Sequence, residues 1–169
     1  ICHKAVKTPH IDALARDGTV FENAYCNFPI GAPARFATLS GQLTARIGAW
    51  DNAAEFVSSV PTVLHYLRAL GYQTCLSGKM HFIGPDQLHG YEHRLTTDIH
   101  PAEFAWTPDW TLKGLPRSAV SARGVVEAGI CQRNLQIDFD EDVHYHGVQK
   151  LYDLARSKDR RPFMLTVSY

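Results

Sequence analysis

The chain has 169 residues, of which 45% are apolar and 20% charged, and its 17 basic residues balance 17 acidic ones. This composition is that of an ordinary soluble globular protein and excludes low-complexity or disordered character. Without a basic excess, binding to nucleic acid or to an anionic membrane is not expected, and no apolar run reaches the roughly 18 residues of a membrane span.

The first predicted elements are a helix, a strand and a second helix. Residues 8–18 have a capping threonine, a proline at the first helical position and a closing glycine suited to the left-handed conformation. Residues 19–25 are rich in β-branched and aromatic side chains, which favours a strand. Residues 27–33 contain two prolines and a glycine and are expected to be irregular, with a helix from Ala34 to about Gly41.

Two further helix–strand pairs follow along the chain. A helix is predicted to begin at Pro61 and to end at Gly71, and residues 72–77 fit a strand. Apolar residues repeat with helical spacing over residues 148–155, and residues 163–169 are expected to form a strand buried on both faces. This alternation favours an α/β fold with a mostly parallel sheet flanked by helices. The apolar face of the helix after Pro61 would consist of Val63, Leu64, Leu67 and Leu70.

The region between these pairs, residues 82–130, is rich in Pro, Gly, His and Trp and lacks periodicity. A loop-rich region of this length is usually functional or ordered by a partner. The total length fits one domain. The chain begins without Met and stops inside a predicted strand, so we expect a fragment truncated at both termini. The absence of a basic-then-apolar leader favours a cytoplasmic location.

Common metal and disulfide patterns are absent. The four cysteines lie far apart without a C-x-x-C pair, which favours free, mostly buried thiols. The acidic run 138–142 lacks the glycine and the last glutamate of a calcium loop, so we predict a solvated turn there. His144 and His146 can share one face of a strand, but no third metal ligand is near them in sequence. Neither a G-x-S-x-G elbow nor an H-E-x-x-H motif occurs.

Two separated segments carry the clearest chemical signal. Residues 31–41 have the sequence GAPARFATLSG, and residues 71–81 have GYQTCLSGKMH. In this order they resemble the two signature segments of the sulfatase family, C/S-x-P-S/A-R-x-x-x-L-T/S-G and G-Y-x-T-x-x-x-G-K-x-H. The first segment departs from its pattern only at its first residue. Residues 8–15 (TPHIDALA) and 21–26 (FENAYC) are similar to a further stretch of the same family.

The resemblance implies a fold, an activity and a cofactor. The fold would be alkaline-phosphatase-like and sulfatase-like, with residues 1–169 as part of one catalytic domain and residues 82–130 as a loop-rich insertion at its active site. The activity would be hydrolysis of sulfuric esters by a formylglycine nucleophile. The cofactor would be a calcium ion that polarises the sulfate, and most of its ligands would lie outside this chain.

The substrate that the resemblance implies is choline sulfate. Residues 78–92, 96–101 and 104–110 resemble the members of the family that act on this ester, whereas residues 111–129 depart from them. Choline is a quaternary ammonium, which an aromatic face attracts, and Trp106 is the candidate for that face. Core packing is the alternative for Trp106. Other alkyl or aryl sulfates and phosphonate-type esters stay open, as does a homo-oligomer of the full-length protein.

Four positions of the signature segments carry the implied chemistry. Residue 31 is where the family makes its formylglycine, which would also be a calcium ligand. Arg35 lies one helical turn later on the same face, where a planar guanidinium can hold the oxygen of the nucleophile. Lys79 and His81 point to the same side of an extended chain. Lys79 would neutralise sulfate charge, and His81 would donate to a sulfate oxygen or to the leaving group.

Position 31 is Gly, which has no side chain to attack sulfur. Two explanations stay open. Formylglycine can be written as Gly in one-letter code, in which case the sequence predicts a sulfuric ester hydrolase. Otherwise the glycine is real, and the protein is a homologue that binds sulfate esters without hydrolysing them. The chemical identity of residue 31 separates the two.

Overall fold

The computed structural model describes residues 5–100, 102 and 123–169 of the chain. No helix within these residues is both long and apolar enough to cross a membrane. The helices and strands are, in chain order, α1 (Pro9–Asp17), α2 (Gly31–Ser40), α3 (Thr44–Ile47), α4 (Val63–Ala69), β1 (Gln73–Gly78), β2 (His93–Arg94), α5 (Arg123–Val126), α6 (Leu135–Arg156) and β3 (Phe163–Ser168).

A parallel sheet in the order β2-β1-β3 is the centre of the described structure. Cys75 of β1 lies opposite His93 on one side and opposite Leu165 on the other, and both pairings are parallel. All six residues of β1 are buried, because both edges of this strand are paired and α4 and α6 pack against it. The prediction of an α/β fold with a parallel sheet flanked by helices is confirmed.

An aromatic cluster joins α2 to the segment that follows β1. The rings of Phe36 and Phe56 stack with a centroid distance of 4.4 Å, and Phe82 lies 6.5 Å from Phe36 and 6.1 Å from Phe56. All three side chains are buried. Burial of one such side chain contributes about 1.5–3 kcal/mol to the free energy of unfolding. The cluster therefore holds the start of α2 close to the carboxyl end of β1.

The predicted strand over residues 19–25 does not form. This segment has no regular structure, and Phe21 and Tyr25 are 79% and 92% exposed. Strand propensity reflects packing on a neighbouring strand, and no described strand pairs with this segment. The helix before it is confirmed as α1, but Gly18 is extended, with a φ of −122°, rather than left-handed.

The other helices of the predicted pairs form with different bounds or faces. α2 begins at Gly31 rather than at Ala34, because a proline within the first helical turn leaves no required hydrogen bond unmade. Its predicted end is confirmed by Gly41, which has a φ of 66°. On α4, Leu64 is buried, whereas Val63 is 47% exposed; the predicted apolar face is therefore wrong in part.

The last helix begins earlier than its apolar repeat indicates. α6 starts at Leu135, so the acidic run 138–142 is helical and not a turn. Asn134 caps this helix, since its side-chain oxygen accepts the N–H of Ile137 at 2.9 Å. Acidic side chains near a helix N-terminus stabilise the helix through its dipole, which explains why residues 138–142 are helical.

The strand after α6 is more exposed than predicted. Phe163, Met164 and Val167 of β3 are 45%, 40% and 39% exposed. β3 pairs with β1 on one edge, and no described strand pairs with its other edge. The expectation that both faces of this strand are buried is therefore wrong within the described residues.

The histidine pair and the cysteines also differ from expectation. His144 and His146 lie on α6, where His144 contacts the Tyr169 hydroxyl at 3.1 Å and His146 lies 3.4 Å from an Asp142 oxygen. Of the three cysteines that the structure describes, all are free, but only Cys75 is buried. The expectation of mostly buried thiols is wrong for these three.

Gly78, at the end of β1, is a position where only glycine fits. Its φ is 106°, and a Cβ there would lie 1.9 Å from the Ser168 carbonyl oxygen. We expect Gly78→Ala to lower the free energy of unfolding of the full-length protein by more than about 3 kcal/mol, or to prevent folding. Gly41→Ala is the control, because no atom lies within 4 Å of its Cβ, and it should cost about 1 kcal/mol. Equal losses in denaturant unfolding would contradict this packing.

Candidate active site

Position 31 lies in the first turn of α2, where a side chain from another segment accepts a backbone N–H that has no partner within the helix. The N–H of Ala32 donates to Oδ1 of Asn52 at 3.0 Å. Asn52 is presented by a turn in which Asp51 Oδ1 accepts the N–H of Ala53 at 2.9 Å. The start of α2 is therefore fixed against the segment between α3 and α4.

A side chain at position 31 would point at three polar groups. A Cβ on Gly31 would lie 3.3 Å from His81 Nδ1, 3.5 Å from Asn52 Oδ1 and 3.6 Å from Arg35 Nη1. These atoms belong to α2, to the segment after β1 and to the turn before α4. The structure thus brings position 31, Arg35 and His81 to one place.

Arg35 occupies the position that its spacing predicts. It lies one turn after Gly31 on α2, and its Nη1 donates to the Gly31 carbonyl oxygen at 3.2 Å. The side chain is half-buried. This hydrogen bond keeps the guanidinium charge beside the residue at position 31.

Lys79 and His81 follow β1, but not as an extended chain. The N–H of Lys79 still donates to the Ser168 carbonyl oxygen at 2.8 Å, which continues the pairing of β1 with β3. His81 has a φ of 57°, in the left-handed region, and only 3% of its surface is exposed. The expectation that Lys79 and His81 point to the same side of an extended chain is therefore wrong, because the backbone is not extended at His81. The chain turns sharply after Lys79, and this turn directs the His81 ring to position 31.

Positive charge is concentrated at this site. Burial lowers the pKa of Lys79, and the charge of Arg35 lowers it further. Burial also lowers the pKa of His81 to about 4, and the neighbouring His100 acts in the same direction. Lys79 and Arg35 add to the lowering at His81, whereas Asp98 opposes it. His81 is therefore a neutral imidazole at pH 7, beside two partly buried cations that favour an anionic guest.

Three residues near this site were not singled out by the sequence. Asn52 has no spacing signal that links it to position 31. The ring of His100 stacks on that of His81, with centroids 4.4 Å apart, and Asp98 accepts backbone hydrogen bonds from the same segment. Asp98 and His100 belong to residues 96–101, which carry part of the family resemblance. The sequence therefore pointed to this segment but assigned these two residues no role. Trp106 lies outside the described residues.

The described residues do not form a calcium site. Calcium takes six to eight oxygen ligands. The groups that meet position 31 are a guanidinium, an imidazole and one amide oxygen, of which only the last is an oxygen ligand. Across residues 5–100, 102 and 123–169, no three His, Cys, Asp or Glu side chains are grouped in a way that could hold a metal.

Comparison with known sequences identifies similar proteins. A profile of the sulfatase family matches residues 3–169. Choline-sulfatase of Rhizobium meliloti (strain 1021) is 48% identical over 166 residues, which are 95% of this chain and 32% of that protein. N-acetylglucosamine-6-O-sulfatase of Bacteroides thetaiotaomicron is 34% identical over 106 residues, 62% of this chain and 19% of that protein. The chain thus spans a third or less of the length of these relatives.

Solved structures share the fold. A protein in complex with its substrate D-glucosamine-2-N,6-O-disulfate superimposes with a TM-score of 0.62 and 22% identity, covering 97% of this chain and 29% of that one. Phosphonate monoester hydrolase of Agrobacterium radiobacter gives a TM-score of 0.58 and 15% identity, covering 96% of this chain and 36% of that one. The predicted alkaline-phosphatase-like and sulfatase-like fold is confirmed.

Proposed function

Because the chain belongs to the sulfatase family, we propose that the full-length protein hydrolyses a sulfate ester and that the site at position 31 binds the sulfuryl group. One observation carries this proposal: a side chain at position 31 would meet His81 at 3.3 Å and Arg35 at 3.6 Å. The charges of Lys79 and Arg35 both act on His81. Cations and a donor around one point match an anion with several oxygens.

Arg35 and Lys79 have different tasks in this proposal. The guanidinium of Arg35 is fixed on one side by the Gly31 carbonyl oxygen, and its planar fork offers N–H donors in a set geometry. Lys79 is a compact charge on a flexible stem, and half burial strengthens its attraction for an anion. A bound sulfuryl group would counter the factors that lower the Lys79 pKa, so the ammonium would stay charged in the complex.

His81 is proposed to move protons between the nucleophile, the sulfate and the leaving group. A neutral imidazole carries one N–H donor and one acceptor nitrogen, and Nδ1 faces position 31. In the reaction, a hydroxyl of hydrated formylglycine would give its proton to His81 and form a bond to sulfur, while the bond from sulfur to the ester oxygen breaks. His81 would pass that proton to the leaving alcohol. The remaining hydroxyl would then lose its proton through His81 to solvent and expel sulfate, and addition of water to the resulting aldehyde would regenerate the hydrate.

The residue at position 31 decides between hydrolysis and binding alone. With formylglycine, the proposed site would have a nucleophile beside its anion-binding groups, and the family implies a metal cofactor in addition. With a true glycine, the anion-binding groups remain but nothing attacks sulfur, and the second candidate function is a sulfate-ester-binding protein. The glycine in the sequence is the observation that favours this second candidate.

We propose choline sulfate as the ester. The support is 48% identity to choline-sulfatase over 95% of this chain. The chemical reason for involving Trp106 is that a quaternary ammonium offers no hydrogen bond from its cationic head but is attracted to the face of an indole. This role of Trp106 depends on residues outside those that the structure describes.

Mass spectrometry of the peptide that contains residue 31 tests the nucleophile. In full-length protein we expect formylglycine, heavier than glycine by one carbon and one oxygen, together with turnover of 4-nitrophenyl sulfate. If residue 31 is glycine, we expect no turnover, and Gly31→Cys matured by a formylglycine-generating enzyme should restore it. Gly31→Ala is the matched control, since it adds a Cβ but no nucleophile. A Gly31→Cys protein whose mass proves the conversion, yet which is inactive, would contradict the proposal.

Trp106→Ala tests the choline proposal. We expect KM for choline sulfate to rise roughly three- to thirtyfold, because a cation–π contact is lost, while KM for 4-nitrophenyl sulfate stays unchanged. Trp110→Ala, which removes a second indole from the same segment, should change neither value. Steady-state kinetics of the full-length protein provides the measurement. Equal changes for both esters, or none for choline sulfate, would remove Trp106 from the substrate site.

A further inference from the structure

Asp98 lies just behind the segment that carries Lys79 and His81, and its carboxylate is 95% buried, with 5% of the side chain exposed. Its Oδ2 accepts the backbone N–H groups of Met80 and His81, each at 2.8 Å. We propose that Asp98 is a positioning residue of the sulfate site, whose carboxylate holds the backbone turn that directs His81 to position 31. This inference rests on the proposed function.

The turn at His81 needs an external partner. A φ of 57° is unfavourable for a residue with a Cβ, and non-glycine residues keep it where the surrounding structure enforces it. Two successive N–H groups meet one oxygen only when the backbone curls around that oxygen. The carboxylate of Asp98 supplies the oxygen, and it therefore stabilises the one backbone conformation in which His81 Nδ1 lies 3.3 Å from a Cβ at position 31.

The same carboxylate also holds the backbone of the residue whose ring stacks on His81. Its Oδ1 accepts the backbone N–H of His100 at 3.0 Å. The His100 imidazole stacks on the His81 imidazole, with centroids 4.4 Å apart and planes inclined by 24°. Asp98 thus sets both the backbone of His81 and the position of its neighbouring ring, so its loss would release His81 in two ways.

The charge of Asp98 is compensated by Arg94. Arg94 Nη2 donates to Oδ2 at 3.1 Å, and its Nη1 donates to the Gln87 side chain at 2.6 Å. Although burial opposes it, hydrogen bonds from three backbone N–H groups keep the pKa of Asp98 below its usual value. The carboxylate is therefore an anion whose oxygens are used by protein groups, which suits a positioning role and not direct contact with a sulfate.

The test compares Asp98→Ala and Asp98→Asn with Ser77→Ala in full-length protein that turns over 4-nitrophenyl sulfate, as the natural chain or as matured Gly31→Cys. Ser77→Ala removes one buried hydrogen bond, from Ser77 Oγ to the Val143 carbonyl oxygen at 2.8 Å, without touching the turn. Asp98→Asn keeps one acceptor oxygen and covers the case in which Asp98→Ala does not fold. Activities are compared well below the Tm of each variant.

We expect kcat to fall about a hundredfold in Asp98→Ala and about tenfold in Asp98→Asn, because small displacements of a proton-transfer group have effects of this size. Ser77→Ala should lower Tm and leave kcat within twofold. A purely structural role for Asp98 would lower Tm in the same way and leave kcat unchanged in folded protein, which would overturn the inference.

A crystal structure of full-length Asp98→Ala separates failure of this inference from failure of the proposed function. We expect His81 to leave the left-handed region and its Nδ1 to move away from position 31, whereas in Asp98→Asn the retained oxygen should keep part of the turn. If no form of the protein hydrolyses a sulfate ester, the proposed function fails, and the position of His81 in Asp98→Ala still tests the role of Asp98. An unchanged His81 in Asp98→Ala would overturn the positioning role whatever the activity.

Discussion

The packing of Phe36 on Phe56 and Phe82 is the contact on which the site depends. Phe36 follows Arg35 directly in sequence, and Phe82 follows His81. The three rings are buried against each other, and the two polar residues next to them come together at position 31, where a Cβ would lie 3.6 Å from Arg35 Nη1 and 3.3 Å from His81 Nδ1. The apolar core thus sets the distance between two segments that are far apart in the chain. This distance in turn determines how close the polar side chains of the two segments lie.

The polar groups next to this core include cationic side chains that repel one another when no anion is bound. Arg35 and Lys79 are both cationic and partly buried, and each lowers the pKa of His81. Such an arrangement has an unfavourable electrostatic energy by itself. Hydrogen bonds that backbone N–H groups donate to the side-chain oxygens of Asn52 and Asp98 hold the elements in place against that repulsion. An anion with several oxygens would turn the repulsion into attraction.

Local patterns predicted much of the fold and part of the site. The strand β1 and the placement of Arg35 one turn after position 31 follow from the local sequence, because both depend on residues close in sequence. The strand expected over residues 19–25 failed, since strands form only against a partner. The turn at His81 could not be predicted either, because the carboxylate that supports it lies 17 residues further along the chain.

We propose that Arg35, Lys79 and His81 surround one tetrahedral anion. A crystal structure of the full-length protein with inorganic sulfate is the decisive measurement. We expect sulfate oxygens within hydrogen-bond distance of all three side chains, beside residue 31 at the start of α2. Sulfate bound elsewhere while these three side chains point away from a common centre would contradict it.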